Sequence, residues 1–323
     1  MSSTGTPAAP PGDGEFSGTL IYTIGEYRMI QYALAVAGFA LLAGFLYSVS
    51  NRNEVSPRHR TAVNASALLQ AVAFLAYVAL FLSWQNSFVR VDERYVPVAG
   101  EAYDGGLRYA DWSVTVPLLA VELLGVCAVA GRRLFRQRAT AVAAAFLMIV
   151  TGFLGAQVFD GGNRVLWLTV WAAISTVFLL VLYAVLGRAV LASRDELSPD
   201  AFTTLKRATV MEFGVFGVYP LVYLIQQSVG PGSDLVAWAL VTQLGLCAAD
   251  VVAKVGFGAM IHKVAKLRTA DDVRAGSETH PEEVWVSHVK RSDVWPPVAA
   301  ALTGHSAHPA PLPVRDGDGR HGR

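Results

Sequence analysis

The chain has 323 residues, of which 53% are hydrophobic and only 16% are charged. This composition is too apolar for an ordinary soluble domain and indicates a membrane protein with several spans. Because the net charge is only +1, the sequence gives no sign of a nucleic-acid partner, and we expect none. The two cysteines, Cys127 and Cys247, lie in apolar segments, which predicts buried thiols and no disulfide framework.

The order of apolar and polar segments predicts an all-α membrane protein, built as a seven-transmembrane helix bundle. Each of seven apolar runs is long enough to cross about 30 Å of hydrocarbon. The runs lie near residues 21–48, 61–86, 107–130, 139–159, 164–189, 205–228 and 234–262. We therefore assign residues 19–266 to a seven-helix domain. We expect residues 1–18 to be disordered and extracellular, and residues 267–323 to form a mostly disordered cytoplasmic tail.

The loop charges predict the orientation in the bilayer. The connections after the first, third, fifth and seventh runs carry several Arg or Lys residues, whereas those after the fourth and sixth runs carry none. The positive-inside rule then places the N-terminus outside and the C-terminus in the cytoplasm of a multi-pass cell-membrane protein. In the loop after the second run, the stretch SFVRVDERYVPV alternates apolar and polar residues and predicts a short hairpin at the outer mouth.

The seventh run, VAWALVTQLGLCAADVVAKVGFGAMI, contains Asp250 and Lys254. An ionised lysine near the bilayer centre costs about 3 kcal/mol or more, so such residues are functional candidates. Asp250 lies one helical turn away and can partly neutralise it. Two interpretations stay open: an ion pair or interfacial lysine, and an amine that condenses with an aldehyde to form a Schiff base.

The third run carries two acidic residues on one helical face. Asp111 and Glu122 are eleven residues apart, so they point the same way and lie about 16 Å apart along the axis. Thr115 lies between them, and Arg108 lies one turn further out. These four side chains form a row of polar groups along one face of the helix, which we call the polar file. A proton relay requires such groups at different depths in the membrane. Alternatively, Glu122 is a neutral acid that fixes helix packing, with Ser66 as its partner.

The sixth run carries an aromatic stripe, since Phe216, Tyr219 and Tyr223 share one face. Such a stripe is more often core than a ligand wall. Together with Trp112 and Trp171, it suggests an aromatic box around an extended apolar ligand.

Glu212 lies one turn before Phe216 on that same face. It could join Glu122 in proton uptake, or it could lie at the cytoplasmic mouth as a solvated group. We favour the solvated interpretation.

Four strings resemble motifs of the microbial (type 1) rhodopsins. They are DVVAKVGFG in the seventh run, RYADW....TVPLL in the third, GVYPLVY in the sixth and VWAAIST in the fifth. The resemblance implies all-trans retinal bound to Lys254 as a protonated Schiff base. It also implies that Asp111 is the primary counterion and proton acceptor, Asp250 the second counterion and Arg108 the gate.

The residues Asp111, Thr115 and Glu122 form an Asp–Thr–Glu motif, which resembles the outward proton pumps of the proteorhodopsin and xanthorhodopsin groups. In those groups the third residue is the proton donor. The resemblance also implies a retinal pocket, made by Tyr77, Trp112, Leu119, Met148, Trp171, Ser175, Phe216, Tyr219, Pro220 and Tyr223.

Four departures from the family pattern stand out. Phe216 and Tyr223 occupy positions where the family has Trp, and Ala76 occupies the place of a His that binds the counterion in proteorhodopsins. Ala172 stands where xanthorhodopsins open a window with Gly, so a carotenoid antenna is possible but not favoured.

We therefore predict a light-driven outward proton pump, a transporter and not an enzyme, with no metal site. Its partners are the lipid bilayer, the transported proton and further copies of the chain in a homo-oligomer. Two alternatives remain: a sensory photoreceptor that signals through a partner or through the tail, and a heptahelical transporter or receptor with a buried ion pair.

Overall fold

The computed structural model describes residues 15–101, 103–159, 165–222, 234–277, 285–286 and 289–290. Helices dominate these residues. They are α1 (Glu15–Gly18), α2 (Ile24–Ser50), α3 (Arg60–Asn86), α4 (Leu107–Val126), α5 (Gly131–Phe153), α6 (Val165–Ala192), α7 (Pro199–Phe216), α8 (Leu235–Val251) and α9 (Phe257–Arg274). A 3₁₀ turn, Arg52–Glu54, follows α2, and π-helical turns at Leu154–Val158 and Val252–Gly256 extend α5 and join α8 to α9.

The predicted seven-helix membrane bundle is confirmed. Six helical rods in the described residues are long and apolar enough to span a bilayer, with α8 and α9 counted as one rod, Leu235–Arg274. The seventh helix is α7, which corresponds to the start of the sixth predicted run. Large apolar side chains such as Phe39, Phe135 and Leu166 are exposed on the outside of the bundle, as a lipid environment requires.

Packing closes the helices into a ring. Consecutive helices from α2 to α6 contact each other, α7 packs against α9, and α8 packs against α2. Buried side chains of the bundle form two main apolar clusters, one centred on α4 and one on α2 and α3.

A small sheet covers the outer end of the bundle. The predicted hairpin is confirmed: β2 (Phe88–Val91) pairs antiparallel with β3 (Arg94–Pro97). A third strand, β1 (Tyr22–Thr23), pairs with β3 and was not predicted, because two residues are too few to show an alternating pattern. The Tyr27 ring, at the start of α2, stacks on the Tyr95 ring with centroids 3.7 Å apart.

Residues 15–18, which we assigned to the segment before the bundle, form α1 in the structure. The four residues of α1 fold against the bundle, and Ser17 is buried. The Tyr22 hydroxyl donates to the Ser17 carbonyl at 2.7 Å, and the Gln243 amide donates to Ser17 Oγ at 3.3 Å. These two bonds explain why a polar segment is held in place.

The last helix continues to Arg274, past the predicted boundary at residue 266. Thr269 and Ala270 are buried, and the Arg268 guanidinium donates to the carbonyls of Val126 and Cys127, both at 3.0 Å. Arg268 therefore caps the free carbonyls at the end of α4. This polar helix end was missed because its stability comes from tertiary contacts and not from an apolar run. Beyond it, Trp285–Val286 pairs with Val289–Lys290.

Candidate functional site

Lys254 lies inside the π-helical turn Val252–Gly256, at the junction of α8 and α9. Its side chain is fully buried. The widened turn changes the usual pattern of backbone hydrogen bonds, and such turns are frequent at functional sites. The Gln70 amide of α3 donates to the Lys254 carbonyl at 3.1 Å and so holds the turn from the side.

Two carboxylates face the Lys254 amine. Lys254 Nζ donates to Asp250 Oδ1 at 2.6 Å and lies 3.4 Å from Asp111 Oδ2. All three groups are buried. A buried cation needs such compensation, because the loss of hydration costs several kcal/mol per ion. The predicted grouping of Lys254 with both aspartates is what the structure contains.

Asp250 is saturated with hydrogen bonds. Its Oδ1 also accepts from the Tyr219 hydroxyl at 2.8 Å and from Trp112 Nε1 at 3.2 Å, while Oδ2 accepts from the Tyr77 hydroxyl at 2.8 Å. These donors, with Lys254, compensate its negative charge. Protonation of this carboxylate would weaken the hydrogen bonds from these donors.

Asp111 is much less constrained than Asp250. Among the described residues, its Oδ1 atom has no hydrogen-bond partner. The Thr115 hydroxyl donates to the main-chain oxygen of Asp111 at 3.0 Å, and not to its carboxylate. Asp111 therefore has one oxygen, Oδ1, that is free to take a proton, while its other oxygen, Oδ2, lies 3.4 Å from Lys254 Nζ.

Arg108 lies on the outer side of this group and is buried. Its guanidinium donates to the Tyr77 hydroxyl at 3.1 Å and to Gln243 Oε1 at 3.0 Å, and lies 3.7 Å from Asp250 Oδ2. The Tyr103 hydroxyl also donates to Gln243, at 3.3 Å. Gln243 was missed in the sequence; the only signal was an uncharged amide within the apolar string VAWALVTQLGLC.

Glu122 lies at the other end of the polar file and is fully buried. Ser66, the partner we considered for it, is the polar side chain that interacts with its carboxyl, although neither carboxyl oxygen makes a well-formed hydrogen bond within the described chain. A Cβ atom added to Gly258 would lie 2.5 Å from Ser66 Oγ, 2.9 Å from Gln70 Nε2 and 3.5 Å from Glu122 Oε1. These four residues therefore enclose one small polar pocket.

The expected solvation of Glu212 is wrong. Its side chain is only 2% exposed, and neither carboxyl oxygen has a hydrogen-bond partner within the described part of the chain. The reason is packing: α7 contacts α9 and the π-helical turn, so this face of α7 is covered by helix and not by water.

A largely apolar cavity lies between α4, α5, α6, α7 and α8. It holds about 1130 Å³ of empty space, counting the part that opens to the outside. Six of the predicted pocket residues line it: Trp112, Met148, Ser175, Phe216, Tyr219 and Pro220. Ala172, which we associated with the antenna window, also lines it. Trp112 and Tyr219 reach the inner end, where both donate to Asp250.

Three predicted pocket residues do not line this cavity. Tyr77 instead bridges Arg108 and Asp250. Leu119 is buried in the apolar cluster around α4, and the Trp171 ring stacks on the Phe159 ring at 5.1 Å. The angular position of Trp171 turns its ring toward the end of α5 and leaves Ala172 and Ser175 on the cavity. The predicted pocket residue Tyr223 lies outside the described residues.

The sequence pattern of the family described as "Bacteriorhodopsin-like protein" matches residues 28–267. The chain therefore belongs to the bacteriorhodopsin-like family and is a microbial type 1 rhodopsin. Cruxrhodopsin-3 from Haloarcula vallismortis is 32% identical to this rhodopsin over 242 residues, which cover 73% of this chain and 89% of that protein. Bacteriorhodopsin-I from Haloarcula marismortui is 32% identical over 234 residues, covering 71% and 86%.

Solved rhodopsin structures share the fold. Xanthorhodopsin, described as a light-driven ion pump with dual chromophore, is 27% identical with a TM-score of 0.69, and the match covers 79% of this chain and 98% of that one. A thermophilic rhodopsin is 27% identical with a TM-score of 0.71, over 79% and 99% of the two chains.

Membership of the rhodopsin family implies retinal as the chromophore, and the residues of this rhodopsin fit that group. A primary amine at Lys254 can form a covalent link to an aldehyde. The apolar cavity adjoins it, since Trp112 and Tyr219 line the cavity and also donate to the carboxylate that Lys254 binds. Asp250 and Asp111 supply the negative charge that a cation at Lys254 Nζ requires.

Proposed function

We propose that this rhodopsin is a light-driven outward proton pump. Family membership supports a light-driven ion transporter rather than an enzyme, and xanthorhodopsin, with which it shares the fold, is described as a light-driven ion pump. The observation that favours the proton as the transported ion is the difference between the two aspartates beside Lys254. Asp250 accepts hydrogen bonds from several donors, whereas Asp111 has an oxygen without a hydrogen-bond partner among the described residues.

Asp111 is the proton acceptor in this proposal. Retinal bound at Lys254 would supply light absorption and a change in the direction in which the Nζ proton points. Asp111 Oδ2 lies 3.4 Å from Nζ, so a short movement brings the proton to this carboxylate. Asp250 keeps its four donors throughout and holds the site together. This step neutralises both the Lys254 cation and the Asp111 carboxylate. It therefore removes the desolvation cost of two buried charges.

Arg108 and its partners form the outward route. Arg108 links Tyr77 and Asp250 to Gln243, and Gln243 in turn contacts Tyr103 and Ser17 near the outer sheet. A proton that arrives on Asp111 neutralises a negative charge near Arg108. The guanidinium, which already donates to Gln243, is then attracted less strongly toward the Lys254 site, and its positive charge favours release of a proton on the outer side.

Glu122 is the proton donor in this proposal. It lies about 16 Å from Asp111 along α4, toward the cytoplasm, and it is enclosed with Ser66, Gln70 and Gly258. A buried carboxyl without strong hydrogen bonds or a cationic partner keeps its proton until a nearby base requires it. Because the acceptor lies outward of Lys254 and the donor inward, each cycle moves one proton out of the cell.

Light-induced pH change in a cell suspension tests the proposal. Cells that express the chain and receive retinal should acidify the medium on illumination, and a protonophore should abolish the signal. Lys254→Ala, which removes the amine, should give colourless protein and no pH change at matched expression. Coloured wild-type cells that leave the medium unchanged under light would rule out the pump and favour the sensory alternative. Cells that make the medium alkaline would rule out outward proton transport.

A further inference from the structure

Glu212 is a buried acid that the pump described above does not use. Its side chain is 2% exposed, and both of its oxygens lack hydrogen-bond partners among the described residues. Buried polar groups without partners are rare in proteins and call for a specific explanation. An intramembrane carboxyl is also a functional candidate by default. A purely structural role is hard to support, because this carboxyl bonds nothing that it could hold in place.

Glu212 lies on α7, which packs against α9 and against the π-helical turn that carries Lys254. It is close enough to Glu122, Lys254 and Asp250 to interact electrostatically with all three. The two glutamates come from different helices, since Glu122 is on α4 and Glu212 on α7. Glu212 is therefore a buried acid within electrostatic range of both the donor and the lysine.

Two hydroxyl groups on α6 and α7, those of Tyr183 and Thr209, already have backbone partners. Tyr183, which also interacts with Glu212, donates its hydroxyl to the Phe213 carbonyl at 2.8 Å. The Thr209 hydroxyl donates to the Leu205 carbonyl within the same helix. Both hydroxyls are thus committed to backbone oxygens, and Glu212 keeps both of its oxygens available for a proton.

We propose that Glu212 is a second proton carrier in the cytoplasmic half, which passes protons from Glu122 to Lys254. In the dark both carboxyls hold a proton. After Lys254 Nζ has lost its proton to Asp111, the Glu212 carboxylic acid donates its proton to Nζ and becomes a carboxylate. Glu122 then donates to Glu212, and a proton from cytoplasmic water refills Glu122. One proton enters and each acid returns to its starting form, so the sequence balances.

Glu212→Gln tests this inference, which rests on the proposed pump function. The substitution keeps the volume and polarity of the side chain but cannot carry a proton. In flash spectroscopy of the retinal-loaded protein, proton return to Lys254 Nζ should slow about 10-fold or more, while the first transfer to Asp111 keeps its rate. Infrared difference spectra should lose one protonated-carboxyl band in the variant and keep the band of Glu122.

Two further variants separate a carrier from a packing residue. Glu212→Asp retains an acid and should recover much of the wild-type rate. Thr209→Val changes a buried polar group one turn away without touching a carboxyl, and should leave the rate unchanged. A return rate in Glu212→Gln within twofold of wild type, or an unchanged set of carboxyl bands, would overturn the inference. A wild-type protein that moves no protons would instead defeat the pump proposal itself.

Discussion

At the residue scale, the site depends on a difference in hydrogen bonding between two aspartates. Within the described chain, Asp250 accepts hydrogen bonds from four donors, while Asp111 pairs with Lys254 and has one oxygen without a hydrogen-bond partner. Their positions alone do not distinguish them, since both lie within ion-pair distance of the same amine. The hydrogen-bond donors Tyr77, Tyr219 and Trp112 make the difference, and each comes from a different helix.

Asp111→Asn should block transport and shift the absorption maximum to longer wavelength. The substitution removes a negative charge 3.4 Å from Lys254 Nζ, and that charge stabilises the positive nitrogen in the dark. Flash spectroscopy should find that Nζ no longer loses its proton. A variant that still deprotonates at the wild-type rate would show that another group is the acceptor.

Gly258→Ala should disturb the pocket around Glu122. The added Cβ would lie 2.5 Å from Ser66 Oγ and 2.9 Å from Gln70 Nε2, so both side chains must move, at a cost of about 1–3 kcal/mol. We expect a lower temperature for thermal loss of colour and slower proton return to Lys254. Gly245→Ala is the matched control on the same rod, because nothing lies within 4 Å of its added Cβ. Equal behaviour of the two variants would contradict the predicted crowding.

Sequence reasoning found the charged residues of the site but missed its amides. A charge in an apolar run is costly, so Lys254, Asp250, Asp111 and Glu122 were visible without a structure. Gln70 and Gln243 carry no charge, and their roles depend on which helix faces them. The exposure of Glu212 was wrongly predicted for a related reason. The apolar run shows where Glu212 lies along its helix, but it does not show which neighbouring helix covers the side chain.

At the element scale, the apolar runs predicted where the helices lie but not where each helix ends. α9 continues to Arg274 because its last turns are tied to the loop after α2. Thr269 Oγ1 accepts from the Ser56 amide at 3.1 Å, and Asp272 Oδ2 bonds His59 Nε2 at 2.8 Å. Glu54 binds Lys266 at 2.9 Å; burial opposes its ionisation, but the bonds from Lys266 and His262 outweigh burial and lower its pKa.

His59 should make this cytoplasmic contact sensitive to pH. Burial, together with the nearby Arg268 charge, lowers its pKa from 6.5 to about 4, although the bond to Asp272 opposes the shift. The unfolded chain therefore binds a proton between these values while the folded chain does not. Its contribution to stability is full above pH 6.5 and falls by up to about 1.4 kcal/mol per pH unit below it.

Thermal loss of colour measured from pH 7 to pH 5 checks this pH effect. The transition temperature of the wild type should fall over this range more steeply than that of His59→Gln, which cannot be protonated. Other titrating groups contribute equally to both proteins, so the difference between the two slopes isolates His59. Parallel slopes would mean that His59 is not held neutral by the fold.

At the scale of the whole molecule, the bundle separates an inward and an outward half around Lys254. Arg108, Gln243 and the outer sheet occupy one side, and Glu122 and Glu212 the other. The sequence predicted this division because the charged residues of α4 lie at different depths. It could not predict the cavity wall, which Trp171 does not line, because a small error in helix rotation changes which side chains face inward. The homo-oligomer stays a prediction.

The sign and ion dependence of the photocurrent test the central claim most directly. Retinal-supplied protein in a voltage-clamped cell, with equal pH and equal salt on both sides, should drive an outward current under light. The current should persist against an opposing voltage and remain when sodium and chloride are replaced by impermeant ions. An inward current, a current that requires sodium or chloride, or none from coloured protein would contradict an outward proton pump.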